Sequence, residues 1–243
     1  MLLLLATVKK NNQLIYSKKS FSILCSIFFI ILNIIFAMII YTALKIVFKM
    51  FNVSLYKNTF SVLTEFLTNL TMVIFLLHVL IKKLGIHIKP LESKYIYFYL
   101  KIVSFPILFY MITIAIMYYF HIPGCGFEIF KSSLVYDNIL SHTAINPALL
   151  SIVFINFCLL SPIKEEIIIR KLLYVSLRKK TTFLVSSFLS SLIFGLMHGN
   201  PIGAFIYSII ASYIYEKYGN LKVNILMHAI INFLIIFVVF IFR

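Results

Sequence analysis

Seven runs of this chain are almost purely apolar, over residues 21–44, 60–81, 95–120, 148–177, 182–198, 202–217 and 222–242. Crossing a bilayer as a helix takes about 20 consecutive apolar residues, and most of these runs meet that length. The fourth run is longer and is interrupted by Pro162 and by charge. Hydrophobic residues make up 62% of the 243 residues and charged residues only 12%. A water-soluble domain could not hide that much apolar surface, because the buried fraction grows slowly with length. A soluble enzyme and a disordered tail are both excluded. A β-barrel would alternate apolar and polar positions, and Phe28-Phe29-Ile30-Ile31-Leu32 does not. The expected fold class is all-α: a polytopic transmembrane helical bundle of about seven spans.

The net charge is +15, from 22 Lys and Arg against 7 Asp and Glu. In a soluble protein this would suggest nucleic acid. Here the bases gather between apolar runs, so the expected partner is anionic membrane lipid and no nucleic acid. Lys9, Lys10, Lys18 and Lys19 precede the first run. Lys82, Lys83, Lys89 and Lys94 follow the second, Arg178, Lys179 and Lys180 the fourth, and Lys217 and Lys222 bracket the last turn. The opposite loops hold Lys45, Lys49, Lys57 and Lys131, with none at 199–201. The bias of basic loops toward the cytoplasm predicts a multi-pass protein of the cell membrane with its N-terminus inside and its C-terminus outside. The 121–147 loop, with Glu128 and Asp137, is then external. Met1–Leu5 places its apolar run before Lys9 and Lys10, the reverse of a cleavable signal, so none is expected. Cys25, Cys125 and Cys158 form no disulfide or metal pattern. There is no internal repeat. Residues 1–147 form the expected N-terminal transmembrane helices and external loop, and 148–243 a separate C-terminal transmembrane part.

Ionisable groups inside apolar runs are costly and point to function. Glu65, His78 and Lys101 lie near run ends and are expected to be interfacial or structural. Tyr95, Tyr97, Tyr99, Tyr118 and Tyr119 are expected to form interfacial belts. Three clusters in the C-terminal half are different. Lys164-Glu165-Glu166-Ile167-Ile168-Ile169-Arg170 puts two carboxylates and an arginine in an apolar helix. Glu166 and Arg170, four apart, face each other as an ion pair, and Glu165 points about 100° away toward another partner. Phe194 and His198 share a face in the same way, as do His228 and Asn232. Glu165 lies about 20 Å along a helix from Arg178, His198 about 27 Å from Lys180, and His228 about 9 Å from Lys222. These depths permit one cavity near mid-membrane.

A carboxylate beside an imidazole can activate water, one group taking the proton and the other delivering it to the leaving amine. A second histidine and an amide can donate to a developing oxyanion. Equally, Glu165, His198 and His228 could ligate zinc with water in the fourth position. Spacing alone does not choose.

In order and spacing these motifs resemble those of the CAAX protease and bacteriocin-processing family of intramembrane proteases, whose pattern is Glu-Glu-x-x-x-Arg, Phe-x-x-x-His and His-x-x-x-Asn or Asp. Glu165-Glu166 with Arg170, Phe194 with His198, and His228 with Asn232 match it over about residues 148–240. The resemblance implies proteolysis within the membrane, with Glu165 and His198 activating water and His228 and Asn232 forming the oxyanion site. Glu166, Arg170 and Phe194 would support them. It allows either a metal-free mechanism, which is preferred, or a divalent metal such as zinc. Lys171 stands where family members often carry glycine after the motif arginine, a difference in local packing. The implied substrate is a membrane-associated peptide or protein, in bacteriocin or peptide maturation or in self-immunity. Other intramembrane proteases fit worse: the single aspartate, Asp137, cannot make an aspartyl dyad, and neither His-Glu-x-x-His nor Gly-x-Ser-Gly occurs. Two rivals are a non-catalytic immunity protein and a small proton-coupled transporter, the latter often marked by repeats that this chain lacks.

Overall fold

The structure is a computed structural model that describes residues 23–52, 57–80, 96–120 and 147–241. The N-terminal lysines and leucines, the basic segment with Lys82, Lys83, Lys89 and Lys94, the residue Tyr95, and Cys125, Glu128, Lys131 and Asp137 lie outside the described residues. Seven helices account for nearly all that is described, with no β-strand among the described residues. They are α1 (Ile23–Met50), α2 (Lys57–His78), α3 (Ile96–Tyr119), α4 (Pro147–Lys180), α5 (Phe183–Leu196), α6 (Pro201–Tyr218) and α7 (Leu221–Ile241). Each coincides with one of the seven apolar runs.

Among the described residues, three segments are long and apolar enough to cross a membrane: α1, Thr59–His78 within α2, and α4. Two more apolar helices, α5 and Leu221–Phe237 of α7, are shorter. The 14 residues of α5 extend only about 21 Å at the helical rise, less than the roughly 30 Å hydrocarbon layer. The all-helical expectation is met, but of the expected seven or so spans only three helices among the described residues have the length and apolarity to cross.

Local sequence sets the helix ends. Thr182 caps α5 by accepting from the Val185 amide. Asn200 caps α6 by accepting from Gly203 N at 2.9 Å, and Pro201 follows at the first turn, where its missing N–H costs nothing. Gly219 closes α6 at φ 65°, a left-handed conformation natural to glycine. Asn220 then accepts from Lys222 N at 3.0 Å to start α7.

Two stretches of α4, Asn156–Leu160 and Ile167–Tyr174, are π-helical. The first has a visible cause. Pro162 has no amide to offer the turn before it, and its ring crowds the carbonyl four residues earlier. Widening the helix to i→i+5 bonding relieves that crowding, and Ser161 N bonds Asn156 O in that register.

The chain divides into two compact units. One takes α3 and Glu165–Met227; α5 and α6 form its most extensive helix pair, and both pack on α4. The other takes α1 from Ile27, α2, Pro147–Lys164 and α7 from His228. In the second, Val62, Val153 and Ile236 form a buried core backed by Leu149, Phe154 and Phe157. Beside it Lys164 Nζ donates to Asn69 Oδ1 at 2.7 Å, and Asn69 Nδ2 donates to Asn156 Oδ1 at 2.8 Å. A buried cation thus meets amide dipoles rather than hydrocarbon. Glu65 is half-buried, and His78 and Lys101 are exposed. Tyr97 and Tyr119 are exposed as well.

Candidate active site

Two neighbouring glutamates on α4 have opposite surroundings. Glu166 is fully buried. Its Oε2 accepts from Arg170 Nε at 3.1 Å, an ion pair one turn along the helix. Its Oε1 accepts from the Tyr207 hydroxyl of α6 at 2.9 Å. Arg170 is equally buried, and its other nitrogens donate to Ser208 and Ser212 of α6, at 2.9 and 3.2 Å. Four directed bonds compensate the desolvation of both charges, the condition for burying an ion pair at all.

Glu165 turns the other way. Its Oε2 lies 3.4 Å from His198 Nε2, with side-chain exposures of 15% and 31%. Both are therefore open enough to meet a water. His198 sits in the short turn after α5, which is held by Met197 N→Phe194 O and His198 N→Gly195 O bonds. Its Nδ1 lies 2.7 Å from Phe194 O. A carbonyl can only accept, so Nδ1 carries the proton and Nε2 is the nitrogen presented to Glu165. The imidazole also lies against the Phe194 ring, 4.2 Å between centroids. Phe194 in turn is flanked by the Arg170 guanidinium at 5.6 Å and the Tyr207 ring at 5.7 Å.

The α5–α6 turn depends on Gly195. A Cβ there would fall 2.7 Å from Pro201 O and 3.2 Å from Phe205 Cβ, so only glycine lets the second helix start so close to the end of the first.

His228 and Asn232 lie one turn apart on α7, in the other compact unit. His228 is buried. Asn232 is half-buried, and its Nδ2 donates to Phe157 O at 2.7 Å. The structure thus brings together Glu165, Glu166, Arg170, Phe194 and His198 in one unit and pairs Asn232 with α4 backbone in the other. Among the described residues no group of three or more His, Cys, Asp or Glu side chains is placed to hold a metal ion. Of the expected zinc set, Glu165 and His198 meet in one unit and His228 lies in the other.

Residues 147–234 match the family model of the Rce1-like type II CAAX prenyl endopeptidases. They carry an Rce1-like CAAX endopeptidase domain. This domain holds every motif residue, from Glu165 to Asn232. The family and the three long apolar helices together make the chain a membrane protein. No curated protein and no solved structure matches the chain.

The Rce1-like domain also contains polar residues that the motifs do not mark. Arg178, expected as one of the basic loop residues after the fourth run, is instead buried. It is paired with Glu216 of α6 at 3.0 Å, and Glu216 also accepts from the Tyr174 hydroxyl at 2.6 Å. Arg178 stands four and eight residues after Tyr174 and Arg170, on the face of α4 that meets α6. Spacing could have shown this. Ser208, Ser212 and Glu216 repeat at i,i+4 on α6, opposite Glu166, Arg170, Tyr174 and Arg178 at the same interval on α4.

Proposed function

We propose that the chain is a multi-pass intramembrane endopeptidase in which Glu165 and His198 activate the attacking water without a metal. The observation that carries this reading is the 3.4 Å approach of Glu165 Oε2 to His198 Nε2, with Nδ1 anchored to Phe194 O. A water held beside the pair gives a proton to the Glu165 carboxylate as its oxygen attacks the scissile carbonyl carbon. The anchored imidazole keeps Nε2 directed at the same place. The tetrahedral intermediate carries an oxyanion, for which the family resemblance assigns His228 and the second amide proton of Asn232 as donors. Collapse breaks the C–N bond, and the proton held by the pair passes to the leaving amine. The products are a carboxylate and a free amine.

Glu166 and Arg170 have no vacant role in this scheme. Their four bonds fix the helix that presents Glu165. The N-inside, C-outside orientation and a setting in peptide maturation or self-immunity belong to the same proposal. So does the substrate, a membrane-associated peptide or protein. Cleavage of a farnesylated peptide with a C-terminal Cys-aliphatic-aliphatic-X sequence, by the full chain in detergent, tests it. The wild type should cleave, with or without a chelator, and Glu165→Gln should not. Equal behaviour of the two proteins would sink the enzymatic reading, and loss of cleavage with chelator would sink its metal-free form. If a biological immunity effect survives both Glu165→Ala and His198→Ala, the chain acts by binding.

A further inference from the structure

Adjacent side chains of identical chemistry must be kept apart in role, and the structure shows what keeps them so. Glu166 has no solvent contact, so each carboxylate oxygen needs a donor from the protein. Arg170 supplies one and the Tyr207 hydroxyl the other, at 3.1 and 2.9 Å. A neutral hydroxyl bonded to a buried anion makes one of the stronger hydrogen bonds. Tyr207 also has a second attachment: its ring lies 5.7 Å from that of Phe194, the residue that both stacks on the His198 imidazole and accepts its Nδ1 proton.

We propose that Tyr207 is a positioning residue for the Glu165–His198 pair, acting by hydrogen-bonding Glu166 Oε1 and packing on Phe194. It belongs to none of the three motifs. Without its hydroxyl, Glu166 Oε1 loses a donor inside a closed site. Arg170, the cation on the other carboxylate oxygen, is shared with Ser208 and Ser212 and lies over the Phe194 ring. Any adjustment of Arg170 toward Oε1 withdraws support from Phe194, and through it from His198. The link is geometric and does not require Tyr207 to touch substrate.

This inference rests on the endopeptidase reading, and its test separates the two. The full chain in detergent, labelled with ¹⁵N-histidine, is prepared as wild type, Tyr207→Phe, Glu166→Gln and the double variant. Each is assayed on the farnesylated peptide, with Glu165→Gln as the inactive reference. Tyr207→Phe keeps the ring and should lower kcat about 10- to 100-fold, the scale of a small misplacement of reacting groups, with KM within about twofold. The double variant should fall no further than the worse single one, because both changes break the same link. The His198 ring-nitrogen resonances should move in Tyr207→Phe, while those of the other five histidines stay in place and report an intact fold. An unchanged kcat, a multiplicative loss in the double variant, or unmoved His198 resonances would each overturn the proposal. If the wild type cleaves no better than Glu165→Gln, the endopeptidase reading has failed on its own. The His198 resonances then decide the role of Tyr207 alone: movement supports the link and its absence refutes it.

Discussion

Asn232 donates an amide proton to the Phe157 carbonyl, 2.7 Å away, at the one place in that turn where the backbone has no donor to give. In the i→i+5 register of Asn156–Leu160, the carbonyl of Phe157 looks toward residue 162, and residue 162 is proline. A side chain from α7 supplies what the ring nitrogen cannot. In a membrane helix an unmet carbonyl has no water to turn to.

Asn232→Ala should therefore lower stability by about 1–3 kcal/mol, the cost of a buried acceptor left unmet. Restoring the backbone amide with Pro162→Ala should remove most of that penalty. Denaturant unfolding in detergent of both single variants and the double gives the coupling directly. Additive effects would show that the two residues are unrelated.

Glu165→Gln should leave the melting temperature near that of the wild type, since Glu165 is partly open to solvent and its exchange leaves no charge buried. Arg170→Ala, by contrast, leaves the Glu166 carboxylate buried and unpaired, a change that costs about 3–5 kcal/mol. Arg170→Met combined with Glu166→Leu should recover much of it. Thermal melts in detergent distinguish these cases, and equal losses for Glu165→Gln and Arg170→Ala would contradict the assignment.

At the other end of the α4–α6 contact, Glu216→Ala removes the partner of both Arg178 and Tyr174. A loss of about 3–5 kcal/mol is expected by the same reasoning, with cleavage activity per folded molecule retained, because neither residue touches Glu165 or His198. Activity normalised to folded protein by size-exclusion area is the check.

Gly195→Ala should act chiefly on activity. The added methyl meets the backbone oxygen of Pro201 at 2.7 Å, which can yield only by moving the start of α6 or the end of α5. Either shift displaces His198, and a shift near 1 Å can lower kcat about 100-fold. A kcat within twofold of the wild type would show that the turn is looser than its packing implies.

If His228 supplies an oxyanion donor, His228→Ala should lower kcat with little change in KM, by about 100- to 1,000-fold as for loss of one such donor elsewhere. A rise in KM at unchanged kcat would assign His228 to substrate binding instead.

Much of this arrangement could be read from the residues alone. The apolar runs located all seven helices, because hydropathy in a chain this apolar leaves few other places for a helix to be. The i,i+4 spacing of Glu166 and Arg170 gave their ion pair, and the adjacency of Glu165 gave its opposite facing. Other features were hidden. Arg178 stands in an Arg-Lys-Lys run that looks like a basic loop, and its burial depends on Glu216, 38 residues away. Tyr207, Ser208 and Ser212 look like ordinary aromatic and small residues of an apolar helix until a partner helix is set against them. The π-helical stretches depend on how Pro162 is accommodated, which hydropathy does not register. Asn69, Asn156 and Lys164 are each unremarkable in sequence and become a chain of bonds only when α2 lies beside α4.

The α4–α6 contact also fixes which cation the interior will accept. The chain has three arginines, Arg170, Arg178 and Arg243, and two of them are spent here. Arg170 meets a carboxylate and two hydroxyls from three nitrogens of one flat group while lying over an aromatic ring, a geometry an ammonium on a flexible stem cannot copy. Exchange of either interior arginine for lysine, which preserves charge in any alignment, would therefore be a severe change, and the neighbouring Lys171, Lys179 and Lys180 could not stand in for it.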